Sequence, residues 1–209
     1  MVDDRGIEMA QPVAMSLTRP VEASAADADT ELIVRFQAGD GQAFRPLYQR
    51  HSPAVYRLAL RMTGSTADAE DITQVVFERV WHALGRFRTG EAQLSTWLYR
   101  VAANACLDHL KSAPRRRERG LEPEVAARQA DVGRSPEAQL AADQTRSRIE
   151  QALLALPEKY RVVVVLRDIE ERSYEEIRAI LELPITTLKM RAVRGREKLA
   201  AVLERGERR

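Results

Sequence analysis

The chain has 209 residues, 44% of them hydrophobic and 31% charged, which is enough apolar material for one or two small cores and enough charge to keep them in water. A formal net charge of +2 says little as a total, so any binding to nucleic acid must rest on local patches. No apolar run approaches the roughly 18 residues needed to span a bilayer, and the N-terminus lacks a signal-peptide core, so membrane insertion is excluded and a cytoplasmic location is expected.

Residues 1 to 29 are rich in Ala, Asp, Ser and Pro without a sustained period, and are read as a flexible tail. The first module spans about 30 to 113. Within it, "STADAEDITQVVFERVWHAL" opens on Ser65 and Thr66 as cap candidates, with Asp68, Glu70 and Asp71 near the positive end of the helix dipole. Helical spacing puts Asp71, Gln74, Glu78 and Trp81 on one face and Ile72, Val75, Val76 and Ala83 on another. An acidic face ending in Trp81 can dock a partner, although an aromatic in that place is more often core, and core is the reading taken for Trp81.

Next comes "GRFRTGEAQLSTWLYRVAANACLDHLK", a Gly-containing loop from Arg88 to Leu94 followed by a helix with Trp97, Tyr99, Arg100, Asn104 and Lys111. Aromatics beside cations and an amide suit stacking on, and hydrogen bonding to, unpaired bases, while Trp97 could equally be packing. Cys106 is the single cysteine, so no internal disulfide forms, and Cys106-x-x-His109 supplies only two potential ligands, so no metal site is expected. His51 and His82 stand alone, no Gly-rich phosphate loop occurs, and no nucleophile lies beside a base. Nothing argues for an enzyme, a cofactor or a small-molecule substrate.

Residues 114 to 137, including the run Arg115-Arg116-Arg117, mix charge, Ala, Gly and Pro without an apolar face and read as a linker to a second module over 138 to 205. There Val162 to Val165 favour a strand by propensity, but Pro157 suits a first helical turn and helical patterns flank the run, so a helix is expected. In "SYEEIRAILELPITTLKMRAVRGREKLA", Ser173 and Glu176 form a capping box, starting a helix near Tyr174. Ile177, Ile180 and Leu181 give it one apolar face, and Pro184 forbids its continuation past about Glu182.

A second helix then places Ile185, Leu188, Ala192, Leu199 and Leu203 on a core stripe. Its opposite face carries Thr186, Met190, Arg194 and Glu197, flanked by Lys189 and Arg196 on one side and Arg191 and Lys198 on the other, with Thr187 between the rows. A short helix, a tight break and a second helix with a basic face is the helix-turn-helix pattern, whose second helix enters the major groove. Arg can read guanine edges and flanking cations can meet phosphates, although a basic face taken alone can also be merely solvated.

The order of "DAEDITQVVFERVW", "FRTGEAQLSTWLYRVAANACLDHL", a linker and "LPEKYRVVVVLRDIEERSYEEIRAILELPITTLKMRAVRGREKL" resembles bacterial RNA polymerase sigma factors of the extracytoplasmic-function (ECF) group of the sigma-70 family, across essentially all of 30 to 205. The resemblance implies an all-α fold of two small helical domains, sigma region 2 and region 4, joined by a flexible linker. It implies that Asp71, Gln74 and Glu78 dock on the β′ coiled coil of core RNA polymerase, with a further contact to the β flap. The loop and helix with Gly90, Glu91, Gln93, Trp97, Arg100, Asn104 and Lys111 would melt and hold the minus-ten element. Thr186, Thr187, Lys189, Met190, Arg191, Arg194 and Arg196 would face the minus-thirty-five element, and an anti-sigma factor would control the whole.

Departures from the family pattern are Glu182 in place of a turn Gly, Thr186-Thr187 in place of Gly-Thr, Met190 in place of a small polar residue, and Val75 in place of an acidic contact. Met190 cannot hydrogen-bond a base but can pack on a thymine methyl. No folded extension is expected after about Leu203. Two other readings stay open, a sigma mimic that sequesters an anti-sigma factor and a plain helix-turn-helix repressor; the second leaves the first module without a purpose.

Overall fold

The computed structural model describes residues 20–90, 93–117 and 136–207. Glu91 and residues 118–135, the greater part of the expected linker, lie outside them, as do residues 1–19 of the expected tail. Every element assigned in the described residues is helical: α1 (Pro20–Gln37), α2 (Phe44–Thr63), α3 (Thr66–Leu84), α4 (Leu94–Arg117), α5 (Pro136–Leu154), α6 (Glu158–Val164), α7 (Tyr174–Leu181) and α8 (Ile185–Glu207). A short 3₁₀ turn precedes α2, and a π-turn over Val165–Ile169 follows α6. The all-α expectation holds, including the Val162–Val165 run, whose side chains are all buried. Burial on every side is what a helix of valines requires, and here it overrides their strand propensity.

The first helix begins at Pro20, well before Thr30, so part of the expected tail is folded. Asp29 explains why. It is only 6% exposed, and its carboxylate accepts from Arg50 and lies 2.7 Å from His51 Nε2, tying α1 to α2. Burial pushes the Asp29 carboxyl up, but hydrogen bonds and charge from His51 and Arg50 outweigh it and hold the group below its usual 3.8. At its other end α1 is held by Gln37, whose amide donates to Phe87 O at 2.7 Å and Leu84 O at 3.2 Å.

Helix α2 ends on Gly64, which takes the left-handed conformation (φ 74°) and lets the chain turn directly into α3. The Ser65 hydroxyl caps α3 by accepting from Asp68 N at 3.2 Å. The buried stripe of α3 is Ala69, Ile72, Thr73, Val76, Phe77, Val80 and Leu84. Val75 and Ala83, expected on it, lie exposed instead. Trp81 is also a correction: it is 42% exposed rather than core, although its ring meets Phe36 and Phe44 edge-on at 4.9 Å.

In the second module Ser173 and Glu176 close the expected capping box, with Glu176 N donating to Ser173 Oγ at 3.1 Å and Ser173 N donating to Glu176 Oε2 at 2.7 Å. Helix α7 ends on Glu182, a non-glycine residue in the left-handed region (φ 53°, ψ 38°), and α8 starts straight after Pro184. Leu188 and Ala192 of the α8 stripe are fully buried. Gly195 continues that stripe at the contact with α6, where a Cβ would stand 2.5 Å from Val164 Cγ2.

The modules do not stand apart. One continuous cluster of buried side chains runs from Leu32 in α1 to Ala192 in α8, and α7 packs along α4 while α5 packs on α2. Arg161, 8% exposed, spans the junction: its guanidinium donates to Met62 O at the end of α2, and to Leu154 O and Leu156 O at 2.7 and 2.9 Å.

Candidate nucleic-acid interface

The outer face of α8 follows from its core stripe. With Leu188, Ala192 and Gly195 pinned against α6 and α7, helical rotation turns Thr186, Lys189, Met190, Val193, Arg194 and Glu197 to solvent, while Thr187 and Arg191 are half-buried. Met190 is 44% and Val193 51% exposed, an apolar pair among cations. The neighbouring Arg194 guanidinium, with the charges of Lys159 and Lys198, lowers the Tyr160 pKa. Arg196 is exposed on α8 beside the π-turn. It is held by both oxygens of Asp168 at 2.5 and 2.9 Å, which ties α8 to the π-turn. Lys189 lies 5.8 Å from the centre of the Tyr174 ring.

On the first module, Gln37 fixes the carbonyl end of α3, and the chain leaves through Gly90 at φ 108°, a conformation that favours glycine. Gly90 and Gln93 are exposed; Glu91 lies outside the described residues. Trp97 is half-buried, its ring 5.2 Å from Phe87 at the foot of the loop. Arg100 is half-buried and Asn104 and Lys111 are exposed, and these three with Trp97 fall on one side of α4. Lys111 has Asp108 at 3.9 Å. Tyr99, by contrast, is 5% exposed and offers no stacking face in this arrangement. Asp71, Gln74 and Glu78 form an exposed acidic row on α3, with Trp81 at its end.

Several interactions at the junction had no signal in the sequence. Glu170, at the end of the π-turn, accepts from Arg61 of α2 and, at 2.6 Å, from the Tyr99 hydroxyl of α4. Burial first, and the bond to Glu170 second, push the Tyr99 phenol up, so it stays protonated as the donor. The Arg172 guanidinium lies 4.4 Å over the Tyr99 ring, and Arg100 donates to Glu182 at 3.2 Å. The partners are separated by 109, 71 and 82 residues in the Arg61–Glu170, Tyr99–Glu170 and Arg100–Glu182 pairs.

Cys106 is buried, which pushes its thiol up to about 12, and His109 pairs with Asp68 at 3.0 Å. No cluster of potential metal ligands occurs among the described residues, and none of their helices is long and apolar enough to cross a membrane.

Residues 47–116 match Sigma-70 region 2 and residues 146–199 match Sigma-70, region 4. The RNA polymerase sigma-H factor of Pseudomonas aeruginosa is 31% identical over 185 residues, covering 84% of this chain and 94% of that protein. The ECF RNA polymerase sigma factor SigW of Bacillus subtilis is 36% identical over 176 residues, covering 80% of this chain and 92% of the relative. Among solved structures, CnrH in complex with the cytosolic domain of CnrY superposes with a TM-score of 0.62 at 28% identity, over 85% of this chain and 98% of CnrH. With both helical modules present in that order, and relatives matched over nearly their whole length, the chain belongs to the ECF group of the sigma-70 family, the subunits that bind core RNA polymerase and direct it to promoters.

Proposed function

We propose that the work of this sigma factor divides between its modules as its exposed faces do. Helix α8 reads the duplex minus-thirty-five element through Thr186, Thr187, Lys189, Met190, Arg191 and Arg194, with Arg194 at a base edge and Met190 on a thymine methyl. Residues Gly90 to Gln93 and the α4 side of Trp97, Arg100, Asn104 and Lys111 take the opened minus-ten strand. Asp71, Gln74 and Glu78 meet the β′ coiled coil, and the second module also meets the β flap. RNA synthesis itself belongs to the polymerase, so the protein acts in the cytoplasm without catalysis of its own.

The observation that carries this reading is the outer face of α8, where Met190 and Arg194 stand exposed beside Lys189 and free of the core. Control by an anti-sigma protein rests on the resemblance, and is supported by the related CnrH having been captured with a second protein's cytosolic domain.

Run-off transcription with purified core polymerase over a library of promoter fragments tests the assignment. Transcripts from defined start sites should appear only when the protein is added. Arg194→Ala should cost about 1–3 kcal/mol of discrimination at one position of the upstream element. An unchanged sequence preference would remove Arg194 from base contact.

A further inference from the structure

Three donors of the first module converge on the junction, each occupied by a carboxylate of the second. Arg61 in the last turn of α2 and Tyr99 in α4 both donate to Glu170, and Arg100, one residue on, donates to Glu182. The Glu170 side chain is only 8% exposed. One guanidinium and a phenol around the enclosed Glu170 carboxylate, with the Arg100 guanidinium one residue along α4 on a second, exposed carboxylate, form a donor set suited to a phosphodiester backbone, whose oxygens accept charge-assisted bonds from Arg and neutral ones from Tyr. Arg100 also lies on the α4 side that carries Trp97 and Asn104.

We propose that Arg61, Tyr99 and Arg100 form a phosphate-binding site for the backbone of single-stranded DNA, and that in the closed molecule Glu170 and Glu182 fill it as substitutes for phosphate. The inference rests on the assignment of α4 to the promoter strand and extends it to two residues, Arg61 and Tyr99, that the junction covers. The second module is then an internal competitor. Strand affinity is reduced by the fraction of molecules that are closed, because only the open form presents the site. Glu170 is the stronger plug, since it is enclosed and takes two donors, while Glu182 is 73% exposed and weakly held by a screened surface pair.

The test uses the full chain with donor and acceptor dyes at Glu70→Cys on α3 and Glu204→Cys on α8, both exposed, and a fluorescein-labelled random-sequence single-stranded oligonucleotide as probe in a separate anisotropy titration. Glu170→Gln should lower energy transfer and tighten probe binding about ten-fold, the effect of weakening one buried charge-assisted pair. Adding Arg61→Ala or Tyr99→Phe should abolish that gain while transfer stays low. In the unsubstituted chain, unlabelled oligonucleotide should itself lower transfer, and Arg61→Ala should blunt the response; this arm stands even if Glu170→Gln folds poorly.

Low transfer with unchanged probe affinity would overturn the site, as would a gain that survives loss of Arg61 and Tyr99. Unchanged transfer and affinity in Glu170→Gln would overturn the plug. Run-off transcription by the unsubstituted chain separates the two levels. Promoter-specific transcripts beside an unresponsive Glu170→Gln overturn this inference alone. A responsive Glu170→Gln without promoter-specific transcripts overturns the promoter assignment instead.

Discussion

Gly195 shows how one missing side chain sets a packing distance. A Cβ there would stand 2.5 Å from Val164 Cγ2, well inside contact distance. Alanine in a helix interior ordinarily stabilises by up to about 1 kcal/mol relative to glycine, but overpacking a rigid β-branched neighbour costs about 1–3 kcal/mol, so the clash dominates. Gly195→Ala should therefore lower the thermal midpoint of the chain, which a melt followed by circular dichroism would read. Asp29 gives a pH dependence with a definite sign. Its carboxyl is held below the usual 3.8, so the stability it contributes is present above that value and is lost as the pH falls through the depressed folded value. Acid titration of the unfolding free energy should show a steep limb below about pH 4 that Asp29→Asn flattens. Glu182 is a side-chain-bearing residue in a conformation that favours glycine. At φ 53° it sits where a side chain is unfavourable, and its carboxylate instead meets Arg100.

At the scale of elements, the start and stop of α7 and the core stripe of α8 follow from local chemistry, and the sequence shows both. Ser173 and Glu176 bond each other's backbone within one turn, and Pro184 forbids continuation, whatever the rest of the chain does. The outer face of α8 was less completely legible. Its exposed positions follow from helical rotation, but the capture of Arg196 by Asp168 depends on where the π-turn lies in space. Helix α3 shows the same limit: its period indicates the acidic row Asp71, Gln74 and Glu78, whereas the exposure of Val75 and Trp81 depends on which neighbours α1 and α2 supply.

Over the whole molecule, the junction between modules outweighs the linker in deciding what each face can meet. Arg161 is its buried anchor, giving three carbonyls of two modules a shared donor. Arg161→Met keeps much of the volume but leaves those acceptors without their charged donor, so the chain should lose about 2–4 kcal/mol of stability in a urea titration. A loss below about 0.5 kcal/mol would show that water replaces the guanidinium without cost. Closure also explains why Tyr99, an aromatic among cations in the sequence, is hidden in the fold: the Arg172 guanidinium lies over its ring and Glu170 takes its hydroxyl.

The sequence by itself determined the all-α class, the caps that start α3 and α7, the break at Pro184 and the core stripe of α8, because each rests on caps, breakers and a 3.6-residue period that act within a few residues, while the family was legible as a resemblance carried by the order of the motifs. Tertiary structure alone decided that α1 starts at Pro20, that Trp81 is exposed, and that Glu170 closes on Arg61 and Tyr99. Those outcomes depend on pairs far apart in the chain, such as the 109 residues between Arg61 and Glu170, and no local period encodes which distant partner will neutralise a buried charge.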